Sequence, residues 1–154
     1  MKNLFRTLVK TNPNLGFSIA RMTLGLVIFP HGVQKLLGLF GGYGYSGTME
    51  SLTTQMDLPS IVAFSVIMIE FFGSISLVLG LFSRFWALSL IGMFLGIIFT
   101  TQLQHGFFMN WFGNQAGEGY EYSLLVIGIA LSILMNGSGK YSIYTIISKK
   151  IIMK

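Results

Sequence analysis

Four stretches of this chain are nearly free of charge and close to the length of a bilayer crossing: about 15–40, 59–82, 85–103 and 120–136. A hydrocarbon core of about 30 Å takes roughly 20 apolar residues per helical span. A lone strand cannot satisfy its backbone in lipid, so each stretch is expected to be a helix. The reading is an all-α polytopic membrane protein. One domain over 1–154 forms a four-transmembrane-helix bundle, with short interfacial helices in the outer loops and at the C-terminus.

Composition agrees, since 53% of residues are hydrophobic and 10% charged, against about a quarter charged in soluble domains. The net charge of +5 does not point to nucleic acid, because the basic residues flank apolar stretches instead of forming a solvated patch. Lys2, Arg6, Lys10, Arg84, Lys140, Lys149, Lys150 and Lys154 fall on one side of the alternating spans, and Glu50, Asp57, Glu118 and Glu121 on the other. The positive-inside rule then places both termini in the cytoplasm. The first stretch follows three cations, as a secretory signal would, but runs past Pro30 with no small-x-small cleavage site, so it reads as a retained span. With no cysteine, the chain has no thiol chemistry and no thiolate-bound iron–sulfur cluster of its own.

The connections are informative. A few residues around Ser83 and Arg84 join the second and third spans, which makes those helices antiparallel neighbours. Gly25 and Gly32, then Gly73, Ser76 and Gly80, then Ser89, Gly92 and Gly96 recur at spacings that let helix backbones approach closely. In the first outer loop, Thr48 is expected to cap a short surface helix carrying Met49, Leu52 and Met56. The second outer loop holds Phe107, Phe108, Trp111 and Phe112 with almost no charge, so it is expected at headgroup level or folded back onto the bundle. Residues 141–154 mix isoleucine with lysine as an amphipathic cytoplasmic tail.

Charge inside the apolar stretches is costly and is a functional hypothesis by default. Arg21, Lys35 and Glu70 are the cases. On a helical wheel Arg21, Gly25, His31, Gly32 and Lys35 share a face, with Gln34 at its edge, so they are expected to look inward together. Pro30 cannot donate to the Leu26 carbonyl, which predicts a kink beside His31. Side chains lean toward their own helix N-terminus, so Glu70 and Lys35 lean toward one another while Arg21 leans toward the cytoplasm, free to snorkel. Lys35 or His31 is favoured as the partner of Glu70, with Arg21 kept open. His31, Gln34, Lys35, His105 and Glu121 are all expected toward the outer face. Two histidines without a second pair make a poor haem b site, and two ligands are too few for zinc, so no metal is expected.

A set of ordered motifs resembles a known family. Ala20-Arg21, the run His31-Gly32-Val33-Gln34-Lys35-Leu36, Glu70-Phe71-Phe72-Gly73, Gly80-Leu81-Phe82-Ser83-Arg84, His105-Gly106-Phe107-Phe108 and Gly119-Tyr120-Glu121-Tyr122 look like the DoxX family of bacterial inner-membrane proteins. The resemblance covers about residues 15–145. It implies four membrane helices in the bacterial inner membrane and a loose link to redox complexes, whose members include a membrane subunit of a thiosulfate:quinone oxidoreductase. Arg21, His31, Lys35, Glu70, Arg84, His105 and Glu121 carry over as family-like polar positions only.

The leading functional expectation is a redox-associated membrane subunit that binds a quinone or similar lipophilic molecule in the outer half of the bundle. Glu70, His31 and Lys35 are its candidate catalytic residues. Arg21, Gln34, His105 and Glu121 are candidate binding residues, with Phe107, Phe108 and Trp111 covering the site. A non-catalytic anchor or assembly factor for a soluble enzyme is the second reading. A small-molecule or proton transporter is the third. The bilayer, a lipophilic molecule, and a soluble redox partner or a second copy are the expected partners.

Overall fold

The computed structural model describes residues 11–143 and 145, and every regular element among them is helical. In chain order these are α1 (Leu15–Leu37), the short α2 (Gly44–Glu50), α3 (Ser60–Leu79), α4 (Ser83–His105) and α5 (Glu121–Asn136). By length and apolarity α1, α3 and α4 qualify as membrane spans; α5, also apolar, has 16 residues. The four apolar stretches of the sequence therefore each become one long helix. Most of the expected tail over 141–154 lies outside the described residues.

Local chemistry sets the ends. Asn14 caps α1 by accepting from the Gly16 N–H at 2.7 Å. Gly38 and Gly80 close α1 and α3 in the left-handed region, at φ 72° and 74°, where a side chain is strained. The turn from Gly80 to Ser83 is as short as the sequence requires, and α1 continues through Pro30 without interruption.

Two pairings build the bundle: α1 packs along the second half of α3, and α4 packs along α5. Between them lies a core of Leu24, Ile28, Leu77, Leu90, Phe94, Val126, Ala130 and Ile133. The outward faces are also apolar, with Ile19, Leu26, Ile61, Phe64, Leu88, Phe99 and Leu125 exposed. A surface this greasy suits acyl chains and not water. The α1–α3 contact depends on glycine. A Cβ on Gly25 would stand 2.8 Å from the Ser74 carbonyl oxygen, and one on Gly32 would stand 2.6 Å from the backbone at Glu70 and Phe71.

Two expectations are corrected. Gly92 and Gly96 have no atom within 4 Å of where a Cβ would sit; they lie on the exposed face of α4, so this G-x-x-x-G step does no packing within the bundle. Thr48 does not start the outer helix. It is buried inside α2, which begins earlier at Gly44 behind Tyr43 and continues as a π-helical turn over Ser51–Gln55.

Both ends of the described chain meet at one end of the bundle. Asn12 donates to the Asn136 carbonyl at 2.9 Å, Lys140 donates its N–H to Asn14, and the Ser138 hydroxyl donates to Ser83 at 2.9 Å. Arg84 donates to the Met135 carbonyl at this same end.

Gly32→Ala is expected to destabilise the protein by about 1–3 kcal/mol, because the new methyl meets backbone that cannot move aside. Gly96→Ala is expected to be neutral. Thermal unfolding midpoints of the two variants in detergent micelles check the difference.

Candidate functional site

Glu70 sits mid-way along α3, inside a π-helical turn over Ile69–Gly73. That turn adds a residue to the helical period locally, a feature often found at functional sites. Gly32 lies directly against the Glu70–Phe71 backbone, so Lys35, one turn further along α1, comes to the Glu70 side chain. The Lys35 Nζ stands 2.5 Å from Glu70 Oε2. The carboxylate side is 6% exposed and the lysine side 27%, so the pair is closed on one flank and reachable on the other.

A third buried polar group lies on α5. The Tyr122 hydroxyl, in its first turn, has no hydrogen-bond partner among the described residues. Its ring meets Phe94 edge-on at 6.0 Å. Next to it the Ser123 hydroxyl donates to Gln102 Oε1 at 2.6 Å, and Gln102 ends a second π-helical turn over Ile98–Gln102. The irregular turn on α4 thus supplies a polar side chain to the start of α5.

Chemically the cluster offers an ammonium, a carboxylate and a phenol in an apolar surround. Lysine has three donors and the carboxylate several acceptor positions, so one ion-pair contact leaves capacity on both. A buried phenol without a partner is costly and is well placed to donate to a carbonyl oxygen.

Arg21 belongs to a different assembly. It is wholly buried and does not snorkel, which corrects the sequence expectation. Its Nε donates to the Ser138 carbonyl at 2.9 Å, one terminal nitrogen to the Leu77 and Val78 carbonyls, and the other to the Tyr141 carbonyl at 2.5 Å. These acceptors join the end of α3 to the chain leaving α5. Arg21 is a fastener at the end of the bundle where the described chain begins and ends, and it has no part in the Glu70 cluster.

His31 is also corrected. It is exposed on the bundle surface, one helical turn from Lys35, and does not face inward with Arg21, Gly25 and Gly32, which are buried. Gln34 is engaged in the turn after α1, donating to the Phe40 carbonyl at 3.1 Å. His105 ends α4 beneath Gly117, with Gln104 at 3.3 Å from its ring nitrogen. Glu121 accepts from the Met109 N–H at 3.1 Å and so holds its own loop. Phe107, Phe108 and Trp111 are exposed, Phe107 with its ring against Tyr120. Of the expected site residues, the structure brings Lys35 and Glu70 together and gives the others separate surroundings.

A family model described as DoxX matches residues 16–103 of this chain, more than half its length. The chain belongs to the DoxX family. This DoxX chain is also similar to a Bacillus subtilis (strain 168) protein named "Putative oxidoreductase CatD", 26% identical over 119 residues, 77% of this chain and 78% of that protein. No solved structure matches it. The family-matched segment of the DoxX chain contains Arg21, Lys35 and Glu70, whereas Tyr122 lies beyond it.

Tyr122 is the member of the cluster that reasoning from sequence missed. Its phenol ring reads as one more apolar residue of the last span. The available signal was its place beside Glu121 in the Gly119–Tyr122 motif, toward the outer face where Lys35 was also expected.

Arg21→Lys is expected to lose stability, by about 1–3 kcal/mol for the carbonyls left unmet, since an ammonium cannot span the same acceptors. Any stabilisation that an added ligand gives at Glu70 should survive the change. Unfolding midpoints with and without an added quinone analogue separate the two effects.

Proposed function

We propose that this protein is the membrane subunit of a redox system and binds the head of a quinone, or of a similar lipophilic carbonyl compound, at Lys35, Glu70 and Tyr122. The observation that carries the reading is the half-open Lys35–Glu70 pair within the apolar bundle, and the Tyr122 hydroxyl, without a partner among the described residues, supports it. Membership of the DoxX family and similarity to a protein named as an oxidoreductase support the redox assignment.

The chain's residues have distinct parts. Lys35 donates to one carbonyl oxygen of the head, and Tyr122 donates to the other. Glu70 holds the lysine in place and accepts or returns a proton as the head changes state, the low dielectric around it strengthening each contact. A bound quinone supplies a two-electron, two-proton couple between carbonyl and hydroxyl. The chain has no thiol to exchange electrons with the head, and a redox partner protein is the source this reading assigns. A surface groove of about 410 Å³ runs along Phe99, Thr100, Thr101, Leu103 and Gln104 on α4 and does not include the pair.

In this reading the bundle crosses the bacterial inner membrane four times with both ends in the cytoplasm. Arg84 and Lys140 lie at the end where the two ends of the described chain meet, while Glu50, Asp57, Glu118 and Glu121 lie in or beside the loops of the other end, a basic bias in keeping with the positive-inside rule. Under the competing reading, an anchor for a soluble enzyme, the Lys35–Glu70 pair only fixes helix register.

A short-chain quinone analogue should raise the unfolding midpoint of the purified protein. Tyr122→Phe should weaken its binding about tenfold, as loss of one hydrogen bond of about 1.4 kcal/mol implies, and Glu70→Gln should weaken it further. Stabilisation that is absent in the unchanged protein, or identical in all three, counts for the anchor.

A further inference from the structure

We infer that the loop between α4 and α5 is a lipid-inserted segment, with Trp111 and Phe112 seated in the headgroup–acyl boundary of the leaflet at the acidic end of the bundle. The reasoning does not depend on what binds at Glu70. It begins with length. A 16-residue α5 spans about 24 Å, short of a hydrocarbon core of about 30 Å. The 23 residues of α4 reach across it. On the α5 side the remaining thickness has to be filled by the loop that precedes it.

The loop is built for that place. Irregular backbone at membrane depth is tolerated only where its polar groups are satisfied by protein. The Met109 and Asn110 N–H groups are taken up by the Glu121 and Glu118 carboxylates, at 3.1 and 2.9 Å. Asn110 Oδ1 accepts from the Gln115 N–H, and its Nδ2 donates to the Gln115 carbonyl. Trp111 and Gly113 donate within the turn, and Tyr120 and Glu121 donate back to the Gly106 and Phe107 carbonyls.

Apolar surface is presented outward at the same time. Trp111 is 75% and Phe112 87% exposed, and Phe108 beside them is exposed too. No charged side chain lies between His105 and Glu118. Aromatic rings of this kind prefer the bilayer interface, and without a cation in the loop the attraction is apolar and not electrostatic.

The chain has two tryptophans, Trp86 and Trp111. In the Trp86→Phe protein, reconstituted in nanodiscs, Trp111 alone reports. Its emission should be blue-shifted from that of tryptophan in water. Lipids brominated high on the acyl chain should quench it about twofold, and more strongly than lipids brominated near the chain end. Added salt should leave this unchanged, and aqueous acrylamide should quench weakly. Strong acrylamide quenching without quenching by brominated lipid would mean the tip stands in water, free to dock a soluble protein, and would overturn the proposal. Trp86 packs on Gly73. If its replacement disturbs folding, the difference between the unchanged protein and Trp111→Phe gives the same reading.

Discussion

A guanidinium with no exposed surface, set in an apolar bundle and answered by no carboxylate, is the constraint on which the rest of this structure depends. Taking a cation out of water costs several kcal/mol even after relaxation. Arg21 meets that cost with backbone carbonyls from two places: Leu77 and Val78 at the end of α3, and Ser138 and Tyr141 beyond α5. The first two belong to a helix C-terminus, where carbonyls have spare accepting capacity and the helix dipole is negative; Leu77 also accepts the Gly80 N–H. The arrangement works only if α3 stops at Gly80 and the chain after α5 folds back. Gly80 leaves no alternative, because a Cβ there would stand 2.4 Å from the Ser142 side chain and 3.1 Å from the Arg21 guanidinium.

With that end fastened, the register of α1 against α3 follows. Gly25 and Gly32, seven residues apart, lie on one face and press against the α3 backbone at Ser74 and Glu70. Shifting α1 by one residue would replace these glycines with larger side chains, and the helices would separate. Because the register is fixed, Lys35 has only one carboxylate within reach. The π-helical turn at Ile69–Gly73 lies at this crossing, so the irregularity in α3 coincides with the closest backbone approach and with the buried acid.

Much of the fold was legible because it follows from the solvent. The helix ends at Leu37, Leu79 and Asn136 fall within a few residues of the apolar boundaries, since the bilayer rewards only long, internally bonded segments. The Lys35–Glu70 pair was legible from the direction in which helical side chains lean. What failed depended on rotation about a helix axis. His31 sits at the border of the α1 interface, and a wheel drawn at 100° per residue cannot decide which side of that border it takes. Gly92 and Gly96 have the spacing of a packing motif but face outward, and spacing alone does not say which face a neighbour occupies. Arg21 was misjudged because its acceptors are backbone carbonyls, which every sequence has and none displays.

Spare hydrogen-bonding capacity separates the two buried charged centres. Arg21 has carbonyls on Nε and on both terminal nitrogens; a ligand could gain little there without breaking the fold. At the other centre, Lys35 makes one contact to one oxygen of Glu70, and the Tyr122 hydroxyl makes none. Leaving donors idle in a low-dielectric interior is unfavourable, and a sequence under pressure for stability alone is expected to replace such a tyrosine with phenylalanine. A bundle that saturates one buried cation leaves hydrogen-bonding capacity on a lysine, a carboxylate and a phenol, and that difference is what the proposed binding role rests on.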